Sequence, residues 1–381
     1  MRLVFVIHSL TNGGAERATA TLANYWASLN WDVTILTLAA LRSNSYAIAP
    51  SIKVRSLNLA DDSGTVFVAL RANFRRMRVL RQALAAIDPD VVIGMMSSVS
   101  VMLGLIRPGL RARFIGAERT YPPRSDFGRL WSFGRWFSYR ALDVVVVQTQ
   151  LGALWLRRHT LAKNIVVIAN SIRWPIQDYE PIIDPDRHVQ PDRKVLLAMG
   201  RLVALKGFHR LVEAFSALAR THADWDLVIA GDGPERARLE GLIAHHGLMG
   251  RVHMPGLVGN VGDWMQRADV FALTSDFEGF PNALVEALAS GCPAVCVDCE
   301  TGPRDILRPG LDGLLVPQHD HSALCTALST LMADDGLRAR LAGGAIESRE
   351  RFSELRIMRE WQQVISTGSA PVAAVTPRRS S

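Results

Sequence analysis

Short runs rich in Val, Ile, Leu and Ala recur along almost the whole chain, separated by longer amphipathic stretches. In the first half they are Leu3–Ile7, Val33–Leu38, Val91–Gly94, Phe114–Gly116, Val144–Val147 and Val166–Ile168. The second half repeats the pattern at Val195–Met199, Leu227–Ala230, Val252–Met254, Val270–Leu273 and Ala294–Val297. A strand buried on both faces reads as a continuous apolar run, and parallel strands need helix-length crossovers, so the alternation predicts parallel sheets. Between the halves, Ser171–Arg193 carries Pro175, Pro181, Pro185 and Pro191, which break any periodic element and read as a linker. The predicted fold class is α/β, with two doubly wound domains whose ligands bind at the carboxyl ends of the strands. The expected divisions are a first domain over 1–170, the linker 171–193 and a second domain over 194–352. A C-terminal helix over 353–368, whose return to the first domain stays open, and a disordered tail over 369–381, small and polar in composition, complete the chain.

With 381 residues and 49% apolar composition, the chain can bury two ordinary cores. Its charge is uneven. Residues 1–170 hold 21 Lys and Arg against 9 Asp and Glu, net +12, and the remainder holds 22 against 27, net −5, which together make the overall +7. A basic half beside a mildly acidic one suits a chain of which one domain meets an anionic surface. The opening MRLVFVIHSL is too short for a signal peptide or a membrane span, and the uncharged Val91–Ile106 holds Ser97, Ser98 and Ser100, as a strand and helix would. The expected location is the cytoplasm, in solution or peripheral on a membrane. Cys292, Cys296, Cys299 and Cys325 have no histidines at metal-site spacing around them and read as buried thiols in a reducing compartment, so no metal is expected.

Four stretches carry candidate chemistry. FEGFPNALVE, Phe277–Glu286, sets Glu278 and Glu286 eight positions apart around a Phe-Pro-Asn break. Pro belongs in the first helical turn, so a helix starts near Pro281 or Asn282, with Glu286 on its second turn and Glu278 in the preceding loop. Two acids beside a helix N-terminus, which attracts phosphate, suit a phosphorylated sugar. MGRLVALKGFHRL places Arg201 and Lys206 in a loop bracketed by Gly200 and Gly207, and Lys206 is one of only four lysines in the chain. AGDGPERARLE reads as a structural turn into a helix, and PGLVGNV, Pro255–Val261, as a loop whose exposed backbone groups could hold a planar base. Near the N-terminus, SLTNGGAER puts Gly13 and Gly14 at a strand end, either as a tight turn or as a place where backbone approaches a ligand.

GGAER, GRLVALKG, IAGDGPERARLE and EGFPNALVEALASGCPAV, in this order and spacing, resemble the retaining glycosyltransferases of family 4, over roughly Met1–Trp361. The resemblance implies a GT-B fold, in which two Rossmann-like domains face each other across a cleft and the second holds most of a nucleotide-sugar donor. It implies that Glu278 meets the donor sugar's hydroxyls and Glu286 the ribose hydroxyls, while N–H groups from Phe280, Pro281's successor Asn282 and Ala283 approach the sugar and diphosphate. Arg201 and Lys206 match the family's diphosphate cations. Gly13, Gly14, Val258, Gly279 and Pro281 complete the donor-binding set. No metal or other cofactor is expected, because fixed cations and a helix dipole can stabilise the leaving diphosphate. Retention of anomeric configuration is likewise implied by the resemblance alone.

One departure concerns the acceptor side. Many relatives carry a histidine after the strand near Ile115, where this chain reads GAERTYPP, with Glu118 and Arg119 in its place. Arginine stays protonated and cannot serve as a base, so Arg119 binds a phosphate or orients the acceptor. Glu118 either takes part in proton transfer or forms a structural ion pair with Arg119 or a neighbour. The stretches Arg71–Arg81 and Arg124–Arg140 mix arginines with Phe, Trp and Tyr, as a membrane interface would, and no nucleic-acid motif accompanies them. The expectation is a lipid-linked glycan acceptor at the cytoplasmic membrane face, in bacterial surface polysaccharide or glycolipid assembly. The competing enzyme is a non-hydrolysing sugar-nucleotide epimerase, which also uses two Rossmann-like domains. A non-enzymatic membrane scaffold would leave the paired acids unexplained.

Overall fold

The computed structural model describes the chain except residues 12, 41–45, 60–65, 125–127 and 369–381, and the side chains of 66–70 and 129. The expected tail and part of the Arg124–Arg140 stretch therefore lie outside the described residues. The chain divides into two compact units, residues 1–170 with 357–381, and residues 171–356.

The first unit is built on strands β1 (Arg2–Ile7), β2 (Asp32–Thr37), β3 (Lys53–Ser56), β4 (Val91–Met95), β5 (Arg113–Ala117), β6 (Val144–Val147) and β7 (Ile165–Val167). Its helices are α1 (Gly14–Ser28), α2 (Val66–Ile87), α3 (Ser97–Ile106), α4 (Gly128–Ser138) and α5 (Gln150–His159). The sheet runs β3-β2-β1-β4-β5-β6-β7, and its pairings are parallel, with Val4 opposite both Thr34 and Val92. The run of four valines at 144–147 is buried on both faces, which is why it reads as continuous rather than alternating.

The second unit has β8 (Lys194–Met199), β9 (Trp225–Ala230), β10 (Val252–Gly256), β11 (Val270–Leu273), β12 (Ala294–Asp298) and β13 (Gly313–Pro317). Helices α6 (Phe208–Leu218), α7 (Arg236–His245), α8 (Val261–Arg267), α9 (Asn282–Ala289), α10 (Pro303–Ile306), α11 (His321–Ala333), α12 (Asp335–Ala345) and α13 (Ser348–Arg351) accompany them. The parallel sheet is ordered β10-β9-β8-β11-β12-β13. In α6 the buried Phe208, Leu211, Val212, Phe215 and Leu218 fall three or four positions apart, the single apolar stripe that packs a helix on a sheet. Residues 171–193 belong to this unit. Asn260 and Trp264 both donate side-chain hydrogen bonds of 3.0 Å to the Ile183 carbonyl, so the Pro-rich segment is held down.

The last helix, α14 (Glu354–Thr367), carries Ile357, Met358, Trp361, Val364 and Ile365 into the core of the first unit, packed with Phe5, Trp26 and Ile115. Trp26 donates to Gln362 at 3.0 Å across that contact. Cys292, Cys296 and Cys299 are buried as expected, whereas Cys325 on α11 is only half-buried. Among the described residues no helix is long and apolar enough to cross a membrane.

Candidate active site

In the second sheet, β9 and β10 run off to one side of β8 and the later strands to the other, so the connections diverge between β8 and β11. Such a switch point leaves a crevice beyond the strand ends. The loops 200–207 and 274–281 meet there. Gly207 adopts φ 64°, and a Cβ on it would stand 2.2 Å from the Thr274 carbonyl oxygen, so only glycine lets the loops approach this closely. The Thr274 hydroxyl donates back to the Lys206 carbonyl at 3.0 Å, and the Asp276 N–H to the Leu205 carbonyl at 2.8 Å. Arg210 reaches both the Thr274 carbonyl, at 2.6 Å, and the Asp276 carboxylate, at 2.8 Å.

This scaffold brings Lys206 and Glu278 together, Nζ to Oε1, at 2.6 Å. Ser275 Oγ donates to the same carboxylate oxygen at 2.6 Å, and the Thr301 hydroxyl donates to the Glu278 carbonyl. Glu278 and Glu286 are buried, at 8% and 6% exposure. Helix α9 begins at Asn282 with Pro281 as its N-cap, and Glu286 lies on its second turn. The Leu284 and Val285 N–H groups bond the Pro281 carbonyl, so those of Asn282 and Ala283 are the ones no intrahelical ladder can use. Arg201 is exposed, and its guanidinium has no hydrogen-bond or ion-pair partner among the described residues. A buried carboxylate already compensated by an ammonium, a second buried carboxylate, an available guanidinium and a helix N-terminus are thus assembled around one strand-end crevice.

Two neighbouring loops differ in role. Gly231 and Gly233 of the GDGP turn press against the 200–202 loop, and a Cβ on Gly231 would stand 2.0 Å from the Gly200 carbonyl oxygen. That turn supports the Arg201 loop, matching its structural reading. In Pro255–Val261, exposed backbone groups were expected for holding a base. Those of Gly259 are instead consumed, its N–H donating to the Pro181 carbonyl at 2.7 Å and its carbonyl accepting from the Tyr179 N–H at 3.1 Å. The side chain of Val258 is buried. The cause is the segment 179–181, which lies against this loop so closely that a Cβ on Gly259 would meet the Tyr179 carbonyl oxygen at 1.7 Å.

In the first sheet the switch point falls between β1 and β4. Gly13 caps α1 in extended backbone and accepts a hydrogen bond from the Tyr46 hydroxyl at 3.2 Å, with Gly14 opening the helix. After β4, Met96 sits at φ 96°, a left-handed conformation costly for a side-chain-bearing residue, and caps α3. Glu118 and Arg119 part company. Glu118 is 1% exposed and accepts hydrogen bonds from the Ser97 and Tyr139 hydroxyls. Burial raises its pKa, against the opposing pull of those bonds and of the Arg135 charge. The alternative of an ion pair with Arg119 gives way to this hydroxyl pair, because Arg119 turns to other partners. Its Nη1 donates to Asn170 Oδ1 at 3.0 Å, and its guanidinium lies 5.8 Å from the Trp361 ring centroid. Arg119 Nε is buried without a hydrogen-bond partner, and burial lowers the group's pKa to about 10. Gln148 donates to the same Asn170 oxygen at 2.7 Å.

Ser275, Thr301, Met96, Asn170 and Trp361 were not singled out in the sequence. Ser275 stands three residues before Glu278, on the same strand-end loop, and that position was its one available signal. Trp361 had none, since it arrives from the far end of the chain.

Comparison with known proteins decides between the two enzyme readings. Residues 181–348 match the family model of glycosyl transferases group 1, and residues 13–171 that of a glycosyl transferase 4-like domain. The chain is a glycosyltransferase of the GT-B fold. Among its relatives is an α-1,4-N-acetyl-D-galactosaminyltransferase of Campylobacter jejuni, named for an acceptor glycan on diphospho-undecaprenol, 28% identical over 367 residues, covering 96% of this chain and 98% of that one. A Streptomyces coelicolor exopolysaccharide phosphotransferase is 31% identical over 292 residues, which is 75% of this chain and 29% of that longer protein. Among solved structures, Anabaena Alr3699/HepE in complex with UDP superposes with a TM-score of 0.76 at 18% identity, over 96% of this glycosyltransferase and 100% of that chain.

Proposed function

We propose that this glycosyltransferase moves a sugar, with retention of configuration, from a nucleotide-sugar donor to a lipid-linked glycan, at a cytoplasmic membrane surface in bacterial polysaccharide or glycolipid assembly. The observation that carries the donor half is the Lys206–Glu278 contact of 2.6 Å beside the α9 N-terminus. An ammonium has three N–H donors, so Lys206 can hold Glu278 and still donate to a phosphate oxygen. Arg201, with no partner of its own, supplies the second cation. As the sugar–phosphate bond breaks, charge grows on the leaving diphosphate, where Arg201, Lys206 and the Asn282 and Ala283 N–H groups strengthen their hold. These groups take the part a divalent cation would otherwise play. Glu278, fixed by Ser275 and Lys206, accepts from the donor sugar's hydroxyls, Glu286 from the ribose, and Gly279, Phe280 and Pro281 shape the approach. The family resemblance adds Gly13, Gly14 and Val258 to the residues proposed to bind the donor.

Arg119 supports the acceptor half. A half-buried guanidinium with a buried, unmatched Nε favours an anionic ligand, and a diphosphate-linked acceptor brings one. Glu118, buried among hydroxyls, positions the strand end rather than meeting substrate. The membrane reading draws on the exposed Phe133, Trp136 and Phe137 of α4 and on Phe74, Arg75 and Arg78 of α2. Incubation with a panel of UDP-, GDP- and ADP-sugars and a diphospho-polyprenyl glycan tests the whole. Transfer to the lipid, with the product's anomeric configuration read by NMR, is the expected result, and hydrolysis or epimer formation alone would refute it.

A further inference from the structure

A basic pocket of about 600 Å³ opens at the opposite end of the first sheet, where β5, β6 and β7 begin rather than end. Arg107, Arg113, Arg140 and Lys163 line it, with Asp143 as their one acidic companion. Two of the cations are spoken for. Arg107 pairs with Asp143 at 2.7 Å and also donates to the Ala141 carbonyl, and Arg113 donates to the Ile365 carbonyl at the end of α14. Lys163 and Arg140 have no ion-pair partner among the described residues, and both are exposed. Surplus positive charge around a concavity of this size calls for an anion.

The surroundings say which kind. The Arg140 guanidinium lies 3.6 Å from the centroid of the Phe137 ring, and the Leu161 N–H, two residues before Lys163, donates to the Trp136 carbonyl at 3.0 Å. Arg140 is therefore stacked on α4 and the segment just before Lys163 is tied to the same helix, whose Phe133, Trp136 and Phe137 form a chain of ring contacts at 5.4 and 6.4 Å and stand exposed. An apolar stripe continuous with a cation-lined pocket matches an amphiphile with an anionic head.

We propose that this pocket seats the phosphate of an anionic phospholipid head group, with the α4 stripe entering the acyl boundary beside it. The inference rests on the reading that the first unit meets a membrane, and names the site and the lipid class. It concerns a place apart from the strand carboxyl ends where the transfer residues lie.

The test uses the full chain with vesicles of phosphatidylcholine alone or mixed with phosphatidylglycerol, at low salt. Arg140→Gln with Lys163→Gln should cut the preference for phosphatidylglycerol by about tenfold to thirtyfold. Its melting temperature and transfer to a water-soluble acceptor should stay unchanged, and Lys163→Arg should retain the preference. Phe133→Ser with Trp136→Ser should weaken binding to both vesicle types. If the glutamine variant kept the full preference while the serine variant lost binding, the pocket assignment would fail and the membrane reading stand. Wild-type protein that ignored both vesicle types would remove both. Tight binding of inorganic phosphate, lost in the glutamine variant and without any vesicle preference, would assign the pocket to a soluble anion and overturn the lipid.

Discussion

Lys206 and Glu278, 72 residues apart in sequence, share a contact of 2.6 Å, and Ser275 donates to the same carboxylate oxygen. The pair links the loops on either side of the second sheet's switch point, so its two members should not behave independently. Lys206→Ala and Glu278→Ala are each expected to lower kcat by about 2 to 4 kcal/mol of transition-state stabilisation. The double variant should cost less than their sum. Steady-state kinetics on the four-member cycle measure the coupling, and strict additivity would show that the contact is incidental.

Arg201→Ala should lower turnover by a similar 2 to 4 kcal/mol, while Glu286→Ala should chiefly weaken donor binding. Calorimetry with the donor separates the two effects. On the reading that Arg201 and Lys206 hold the leaving diphosphate, chelation with EDTA should leave the wild-type rate intact.

Arg119→Lys keeps the charge but loses the forked geometry. Activity should drop at least tenfold on a diphosphate-linked acceptor and much less on the same glycan without phosphate. Equal losses on both acceptors would place Arg119 outside acceptor recognition.

Acid should unfold the second unit through Asp226. Burial pushes this carboxyl's pKa up, but hydrogen bonds from His253, Arg193 and Arg251, together with the Arg193 charge, outweigh burial and hold it at about 2. A folded-state pKa below the ordinary carboxylate value adds stability above pH ~4, which is lost as the pH falls through about 2. Asp226→Ala, which leaves the Arg193 and Arg251 guanidiniums without their shared carboxylate, should cost about 3 kcal/mol at neutral pH and flatten this acid limb in urea titrations.

Glu118 carries the opposite sign. Its pKa is raised, foremost by burial, so its ionisation subtracts stability as the pH climbs from the unfolded value through the folded one. Glu118→Gln should hold its stability better than wild type on the alkaline side, with little change in KM for either substrate. A loss of kcat with intact folding would return Glu118 to the chemistry.

Most of the fold could be read from apolar runs, yet β3 and β13 escaped. Both are edge strands, and Lys53–Ser56 and Gly313–Pro317 are half-solvated, so neither presents the unbroken apolar run of a central strand. The paired acids and the Arg201–Lys206 loop were legible because glycine and proline punctuate them. Side-chain partners were less so. Trp131 looked like a membrane residue, but it packs against Leu103 and Phe114's cluster, while its neighbour Phe133 is exposed. Arg76 was grouped with Arg75 and Arg78, but its Nε donates to the Leu59 carbonyl at 2.8 Å. An i, i+2 difference decides which side of a helix faces water, and only the packed neighbours say which side that is.

Helix α14 bears on how this protein is made. Its buried Ile357, Met358, Trp361, Val364 and Ile365 complete a core whose other residues all precede 171. Burying five such side chains contributes roughly 10 kcal/mol, comparable to the net stability of an ordinary domain. During synthesis, the first unit must therefore wait, with an unfilled groove over Phe5 and Trp26, until the ribosome has delivered the entire second unit. The half of the chain translated first is the half that finishes folding last.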